Sequence, residues 1–205
     1  MTVLEFENFV RNNMTVDIED FFNDILDCGD DAEGYEDELY DLLWDALHED
    51  FIIRAGVEKF CVFQRDWDRV FKFQVQIVGS DETDFMDACG LADEAGFGDL
   101  FLSETVLDTK LPVRVVTQPK YTGNIADCLT QERRTRRSQL SKKANDSISW
   151  SHEENLLTWI FSLYGEDFGF KFQHFLEENC IHDLHECNFA VGVNYVEIFD
   201  CIIYS

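Results

Sequence analysis

Residues 183–188 read DLHECN, and residues 198–200 read IFD. An aspartate, an asparagine five residues later and a second aspartate after a short hairpin make a pattern typical of phosphoryl-transfer sites. Asp183 can orient an attacking hydroxyl and accept its proton. The side-chain oxygens of Asn188 and Asp200 can hold a magnesium ion. The sequence therefore predicts a phosphoryl-transfer site near residue 183, around which the rest of the chain is organised.

The totals predict one folded domain, or one domain with a small appendage, for a chain of 205 residues. Apolar residues make up 45% of the chain and include 19 Phe, so a sizeable core can form. A formal net charge of -26 argues against general binding to nucleic acid or anionic membranes, because phosphates would be repelled. The same charge leaves two hypotheses open, a basic protein partner or an acidic mimic of nucleic acid.

The seven cysteines are scattered, their number is odd, and none forms a C-x-x-C pair. This usage predicts free thiols in a reducing cytosol, and hence a cytoplasmic protein. Glu5 and Glu7 interrupt the first apolar residues, so no signal peptide is expected. No apolar run approaches the roughly 18 residues of a membrane span, and no membrane association is expected.

Residues 1–50 are predicted to form an acidic helical cap. They contain 17 Asp and Glu against one basic residue, Arg11. Apolar residues nevertheless recur at helical spacing within residues 3–10, 18–26 and 35–46. A cap with a solvated acidic face is the simpler interpretation. A partner-binding or nucleic-acid-mimicking surface is the alternative.

Residues 51–120 are predicted to form an antiparallel sheet with one helix, which begins near Ser80. Strands are expected at residues 59–63, 69–75, 100–106 and 112–118. A strand break and a connector between two lobes are expected at residues 118–121, because Pro119 lies there.

Lys72 lies in the middle of an apolar strand, where a solvated lysine is not expected. It either reaches solvent from an edge strand or grips the phosphates of a nucleotide. In the second case it needs a carboxylate to hold it. Glu82, in the first turn of the predicted helix, is favoured over Asp81 and Asp84 for this role.

Residues 121–205 are predicted to be helical up to the DLHECN stretch, with helices near residues 151–164 and 171–179 and a hairpin turning at 192–194. Residues 131–150 differ in composition, because four Arg, two Lys and four Ser cluster there. This basic segment is predicted to be a polar, solvated loop. Docking on an acidic surface of its own chain, binding an anionic partner and phosphorylation are the alternatives.

The order of these parts resembles the protein-kinase-like fold. The resemblance rests on Lys72 in its strand, the helical Glu82, a hinge at residues 118–120, a long helix, and then DLHECN and IFD. The Asp-Leu-His-x-x-Asn form is similar to aminoglycoside-phosphotransferase-like and other prokaryotic or viral kinase-like proteins. The resemblance covers roughly residues 51–205.

The resemblance implies an α+β, two-lobed fold. Residues 51–120 would be an N-lobe-like antiparallel sheet, residues 121–205 a truncated helical C-lobe, and residues 1–50 an acidic helical extension. The implied cofactors are ATP and Mg²⁺, or Mn²⁺. A protein partner is expected, and nucleic acid is expected to bind only through residues 131–150, if at all.

The resemblance also assigns site residues. Asp183 would be the catalytic base, and Lys72 would clamp the phosphates while Glu82 holds it. Gln118, in the hinge, would contact the nucleotide. The implied metal ligands are Asn188 and Asp200.

The sequence departs from the kinase pattern in three places. Gly56 is the only glycine within residues 51–63, so no Gly-x-Gly-x-x-Gly loop exists before the strand predicted at 59–63. Ile181 stands where the family often carries His, and five residues follow Asp200, so a truncated acceptor platform is expected. The predicted function is a minimal kinase-like protein that transfers phosphate from ATP to a protein Ser/Thr or a small-molecule hydroxyl. An inactive pseudokinase-like binding module and an acidic inhibitor of a host protein are the alternatives.

Overall fold

The computed structural model describes residues 1–12, 14, 44, 47, 50–55, 59–74, 84–111, 113–144 and 153–203. Within these residues the fold is α+β, with helices and antiparallel sheets, as the sequence predicts. Chain packing groups the residues into two units. The first is Met1–Asp81 with Glu104–Lys120, and the second is Glu82–Ser103 with Tyr121–Ser205.

The first unit is built on a five-stranded antiparallel sheet. A helix, α1 (Val3–Asn12), precedes the strands β1 (Ile52–Ala55), β2 (Lys59–Phe63), β3 (Arg69–Gln74), β4 (Thr105–Leu107) and β5 (Arg114–Pro119). The strand order is β1-β2-β3-β5-β4. The long β3 pairs with β5 from Arg69 opposite Pro119 to Gln74 opposite Arg114. Because β3 is central, its backbone is paired with a neighbouring strand on both sides.

Helix α1 packs on one face of this sheet, as its apolar spacing predicts. Phe6 and Val10 are fully buried. The Phe6 ring lies 4.8 Å from Phe71 and 5.1 Å from Trp67, between ring centroids. The acidic cap therefore begins with a helix whose apolar face completes the core of the sheet. The other two helices predicted for residues 1–50 lie outside the described residues.

The described residues of the second unit form four helices and short strands. The helices are α2 (Asp84–Ala95), α3 (Thr130–Ala144), α4 (Glu154–Tyr164) and α5 (Glu166–Glu178), with 3₁₀ turns at Gly98–Leu100 and Ala126–Leu129. The strands are β6 (Asn124–Ile125), β7 (Ile181–His182), β8 (Phe189–Val191), β9 (Val196–Ile198) and β10 (Ile202–Ile203). The predicted helices near 151–164 and 171–179 and the predicted hairpin are confirmed.

An aromatic core fixes the helices of the second unit. Trp159 on α4 and Phe172 on α5 are almost completely buried. Phe97 makes edge-to-face contacts with Phe168 and Phe172, whose ring centroids lie 5.3 and 5.2 Å away. Gly165, at φ +88°, lies between α4 and α5, where its lack of Cβ permits the left-handed turn. The α4–α5 pair is thus a packed support for the strands that follow.

The segment after the boundary at Lys120 is tied to β9. Glu197 accepts hydrogen bonds from the backbone N–H groups of Thr122, at 2.8 Å, and Gly123, at 3.0 Å. The Tyr121 ring stacks on Phe199 with centroids 5.0 Å apart. A Cβ at Gly123 would lie 2.7 Å from the backbone of Val191, so only glycine fits there.

Two predicted elements differ from the structure. Residues 100–103 do not form a strand of the sheet, because the segment turns at Gly98–Leu100 and the Leu102 N–H instead bonds to the Ile198 carbonyl in the second unit. Residues 118–120 do not break β5. Gln118 and Pro119 pair with β3, and the Lys120 N–H bonds to the Asp68 carbonyl at 2.7 Å.

The predicted basic loop is largely a helix. Residues 131–144 belong to α3, and residues 145–150 lie outside the described residues. Arg and Lys are good helix formers, and Glu132 pairs with Arg136 one turn away at 2.8 Å. Arg137 forms an ion pair with Glu154 on α4. Arg137 thus contacts an acidic residue of its own chain, while binding of an anionic partner and phosphorylation stay predictions.

In the described part of the chain, no helix is both long and apolar enough to cross a membrane.

Replacing Phe6 with Ala should lower the free energy of unfolding by about 3 kcal/mol, because a fully buried ring is lost from the sheet core. Leu4→Ala on the same helix is the matched control, since Leu4 is 66% exposed and should cost well under about 1 kcal/mol. Urea titrations followed by circular dichroism measure both. Equal losses would contradict the packing of α1 on the sheet.

Candidate functional site

The polar residues of the DLHECN and IFD stretches converge at the end of a two-stranded ladder. Strand β7 ends at His182, immediately before Asp183, and pairs with β10 through His182 opposite Ile202. The Phe199 N–H bonds to the Asn188 carbonyl at 3.0 Å. Asp200, between Phe199 and β10, is thereby held at the same end of the ladder as Asp183 and Asn188.

Asn188 and Asp183 are joined directly. The Asn188 Nδ2 atom donates to the Asp183 backbone carbonyl at 2.6 Å and to its Oδ2 at 3.1 Å. Asn188 is buried, whereas the Asp183 side chain is about half exposed. Since Nδ2 bonds to Asp183, the amide oxygen of Asn188 is the atom that can serve a cation. The buried amide of Asn188 therefore orients the carboxylate of Asp183, which stays accessible to solvent.

Asp183 has a left-handed backbone, with φ +61°. This conformation is uncommon for residues with a side chain, although Asp tolerates it better than most. Such residues persist where surrounding contacts hold them, and they cluster at functional sites.

His185 lies beside Asp183 in the same loop. Its Nδ1 accepts a hydrogen bond from the Cys187 N–H at 3.1 Å, and its Nε2 is 3.6 Å from Asp183 Oδ1. Because Nδ1 is an acceptor, a neutral His185 carries its proton on Nε2, the atom nearer to Asp183. His185 therefore presents an N–H to the carboxylate.

The loop is also braced from outside. Glu153, just before α4, accepts a hydrogen bond from the Leu184 N–H at 3.2 Å. Arg133 on α3 forms an ion pair with Glu186 and also donates to Asn155. Sequence analysis missed Glu153 and Arg133, because their partners are distant in the chain and no periodicity marks them.

Lys72 is buried in the first unit and is ion-paired. Its exposed fraction is 3%, and its Nζ lies 2.6 Å from Glu104 Oε1. Phe71 and Phe73 belong to the core under α1, so the alternation of β3 directs Lys72 to the opposite face. Lys72 is therefore not an edge-strand lysine whose ammonium reaches solvent.

The carboxylate found beside Lys72 is Glu104, directly before β4. Glu82, which the sequence analysis favoured, lies outside the described residues, and its role stays a prediction. Glu104 is an acidic residue within the apolar run 100–106, and this position could have marked it as a partner of a buried lysine. The sequence pattern was interpreted only as a strand.

Gln118 lies on the same sheet face as Lys72. Lys72 pairs with Val116 and Val70 pairs with Gln118, so the two polar side chains stand two residues apart on neighbouring strands. Gln118 is 1% exposed. Lys72 and Gln118, both predicted to contact the nucleotide, thus lie on one face of the sheet in the first unit. Asp183, Asn188 and Asp200 belong to the second unit.

The residues at the DLHECN loop fit a hard cation. Asp183, Asn188 and Asp200 offer carboxylate and amide oxygens, the donors that Mg²⁺ prefers. Among the described residues, no group of three or more His, Cys, Asp or Glu side chains is placed to hold a metal ion. Mg²⁺ in nucleotide sites commonly takes one or two carboxylates and completes its shell with phosphate and water oxygens.

The chain matches no protein-family model, and a search of the curated proteins finds no match.

The Lys72–Glu104 pair should show strong energetic coupling. Lys72→Met and Glu104→Leu should each cost about 3 kcal/mol of unfolding free energy, because each leaves a buried charge without its ion partner. The double variant should cost clearly less than the sum. The matched control is the half-exposed Arg11–Glu7 pair, whose coupling should be about 0.5 kcal/mol. Additive losses at Lys72 and Glu104 in urea titrations would contradict a buried ion pair.

Cys187 should be slow to react with iodoacetamide. Burial raises the pKa of its thiol, and the negative charges of Asp127 and Glu186 raise it further. A raised pKa leaves less thiolate at pH 8, and the thiolate is the nucleophile. Both Cys187 and Cys180 are exposed. Peptide mapping should therefore show slower labelling of Cys187 because its pKa is raised, with the difference shrinking as pH rises. Asp127→Asn should speed labelling of Cys187; an unchanged rate would contradict the electrostatic contribution.

Proposed function

We propose that this chain is a minimal kinase-like protein that binds ATP with Mg²⁺ and transfers the terminal phosphate to a hydroxyl group. The observation that carries the proposal is the bonded Asp183–Asn188 pair, with Asp200 held at the same end of the β7–β10 ladder. An aspartate, an asparagine and a second aspartate in that order supply the base and metal ligands of kinase-type phosphoryl transfer.

In this proposal the three residues divide the work. Asp183 orients the acceptor hydroxyl and accepts its proton, because its carboxylate is accessible and Asn188 fixes its direction. Asn188 and Asp200 hold Mg²⁺ through side-chain oxygens. The ion, when bound, neutralises phosphate charge in the transition state. The acceptor is a Ser/Thr hydroxyl of a protein or a hydroxyl of a small molecule.

Lys72 supplies the phosphate contact from the sheet of the first unit. Its buried ion pair with Glu104 restricts the rotamers of Lys72 and fixes the position of its ammonium group. Glu104 takes the supporting role that the sequence analysis gave to Glu82. Gln118, on the same face, supplies amide groups for polar contacts with the nucleotide.

A second candidate is a pseudokinase-like module that binds nucleotide without transfer. The observation that favours it is the single glycine, Gly56, between the first two strands, where kinases use several glycines to bring backbone N–H groups to phosphates. Both candidates require nucleotide binding, and only the first requires Asp183 to act as a base.

A thermal shift tests binding. ATP with Mg²⁺ at a hundredfold excess over its Kd should stabilise the protein by about 2.7 kcal/mol, which raises Tm by roughly 5–10 °C. Asp200→Ala should abolish the shift, and Asp167→Ala on the exposed first turn of α5 should keep it. No shift in the wild-type protein would contradict both candidates.

Labelled ATP distinguishes the two candidates. An active protein should transfer phosphate to itself or to an added substrate, and Asp183→Ala should reduce the rate at least about a hundredfold. A normal thermal shift with no transfer by the wild-type protein would reject the kinase activity and support the binding module.

A further inference from the structure

Glu153 is a buried carboxylate at the start of α4, and the roles proposed above do not use it. Its exposed fraction is 6%. Burying a carboxylate carries a large desolvation penalty unless polar partners compensate for it. The partners of Glu153 therefore indicate its purpose.

Two contacts of Glu153 go to the residues on either side of Asp183. Its Oε2 accepts the Leu184 N–H at 3.2 Å, and its Oε1 lies 3.4 Å from His182 Nδ1. The Glu153 side chain thus contacts the residue before Asp183 and the residue after it. The side chain of Asp183 itself is left accessible.

The conformation of Asp183 needs such support. A left-handed backbone is unfavourable for residues with a side chain, although Asp tolerates it better than most, and φ is +61° at Asp183. Asn188 bonds to the carbonyl and carboxylate of Asp183 from within the loop. Glu153 holds the flanking residues from α4, and the two ties act on different atoms.

Helix α4 is a rigid base for this contact. Leu156, Leu157, Trp159 and Ile160 are buried in the core directly after Glu153. Glu153 directly precedes this helix, so its backbone is fixed by a packed element at its C-terminal side.

We infer that Glu153 is a positioning residue, which fixes the backbone at Asp183 and thereby aims its carboxylate. The effect on phosphoryl transfer rests on the proposed function. The structural tie to Leu184 does not, so the two can fail separately.

Variants of the full chain test this inference. Glu153→Leu removes both acceptor oxygens, and Glu153→Gln keeps one acceptor but loses the charge. The control is Glu178→Leu, which removes an exposed carboxylate at the end of α5. The readouts are hydrogen exchange of the Leu184 amide, measured by NMR, and kcat and KM for ATP.

Glu153→Leu should speed exchange at Leu184 about tenfold, since an amide hydrogen bond that holds the loop is lost. It should lower kcat about tenfold or more while KM for ATP stays within about twofold, because orientation and not nucleotide binding is impaired. Glu153→Gln should give intermediate values for both. The control should match the wild-type protein in all three.

Unchanged exchange at Leu184 in Glu153→Leu would overturn the inference, as would faster exchange with unchanged kcat. If the Leu variant does not fold, the Gln variant decides, and exchange equal to wild type would then overturn it. If the wild-type protein transfers no phosphate, the proposed activity fails, while faster exchange at Leu184 would still establish Glu153 as the residue that fixes this loop.

Discussion

The antiparallel pairing of β7 with β10 is the constraint on which the candidate site depends. Within the described residues it comprises two residue pairs, Ile202 with His182 and Ile203 with Ile181. The pairing brings residue 200 back to the loop that starts at residue 183. Ile181 and Leu184 are buried in the core, so the ladder is anchored from below and the loop cannot slide without exposing apolar side chains. Burial of Ile181 and Leu184 thus keeps the polar residues 183, 188 and 200 at one end of the ladder.

The arginines of α3 contact helix α4 and the DLHECN loop, both in the second unit. In a chain with a net charge of -26, most basic groups could be expected to scatter over the surface as counter-charges. Three arginines of α3 instead make specific contacts: Arg133 with Glu186, Arg136 with Ser162 and the Trp159 ring, and Arg137 with Glu154. Guanidinium groups suit this role, because they combine several donors with a flat face that packs on aromatic rings. Helix α3 therefore connects α4 to the DLHECN loop.

The sequence predicted what depends on neighbours along the chain. Asp183 and Asn188 are five residues apart and Asp200 follows a short hairpin, so their order alone marked them. The apolar residues next to Lys72 in the sequence likewise sufficed to place it within a strand. The partners Glu104 and Glu153 could not be chosen from sequence, because many carboxylates compete in an acidic chain and only tertiary packing selects one. Composition also misjudged α3, since a run of Arg, Lys and Ser lacks an apolar stripe. The helix packs on the core through the buried Leu140, and its arginines contact α4 and the loop.

Glu197 holds the backbone directly after Lys120, where the chain passes from the first unit to the second. Segments that join compact units are commonly exposed and are the first to be cut by proteases, which need a locally unfolded backbone. Here two successive amides are bound by one carboxylate, Tyr121 is stacked on Phe199, and Gly123 lies against the backbone of Val191. Cleavage at residues 121–123 would require β9 to release this segment first. Limited proteolysis should therefore spare the junction, and trimming there is a poor route to isolating either unit.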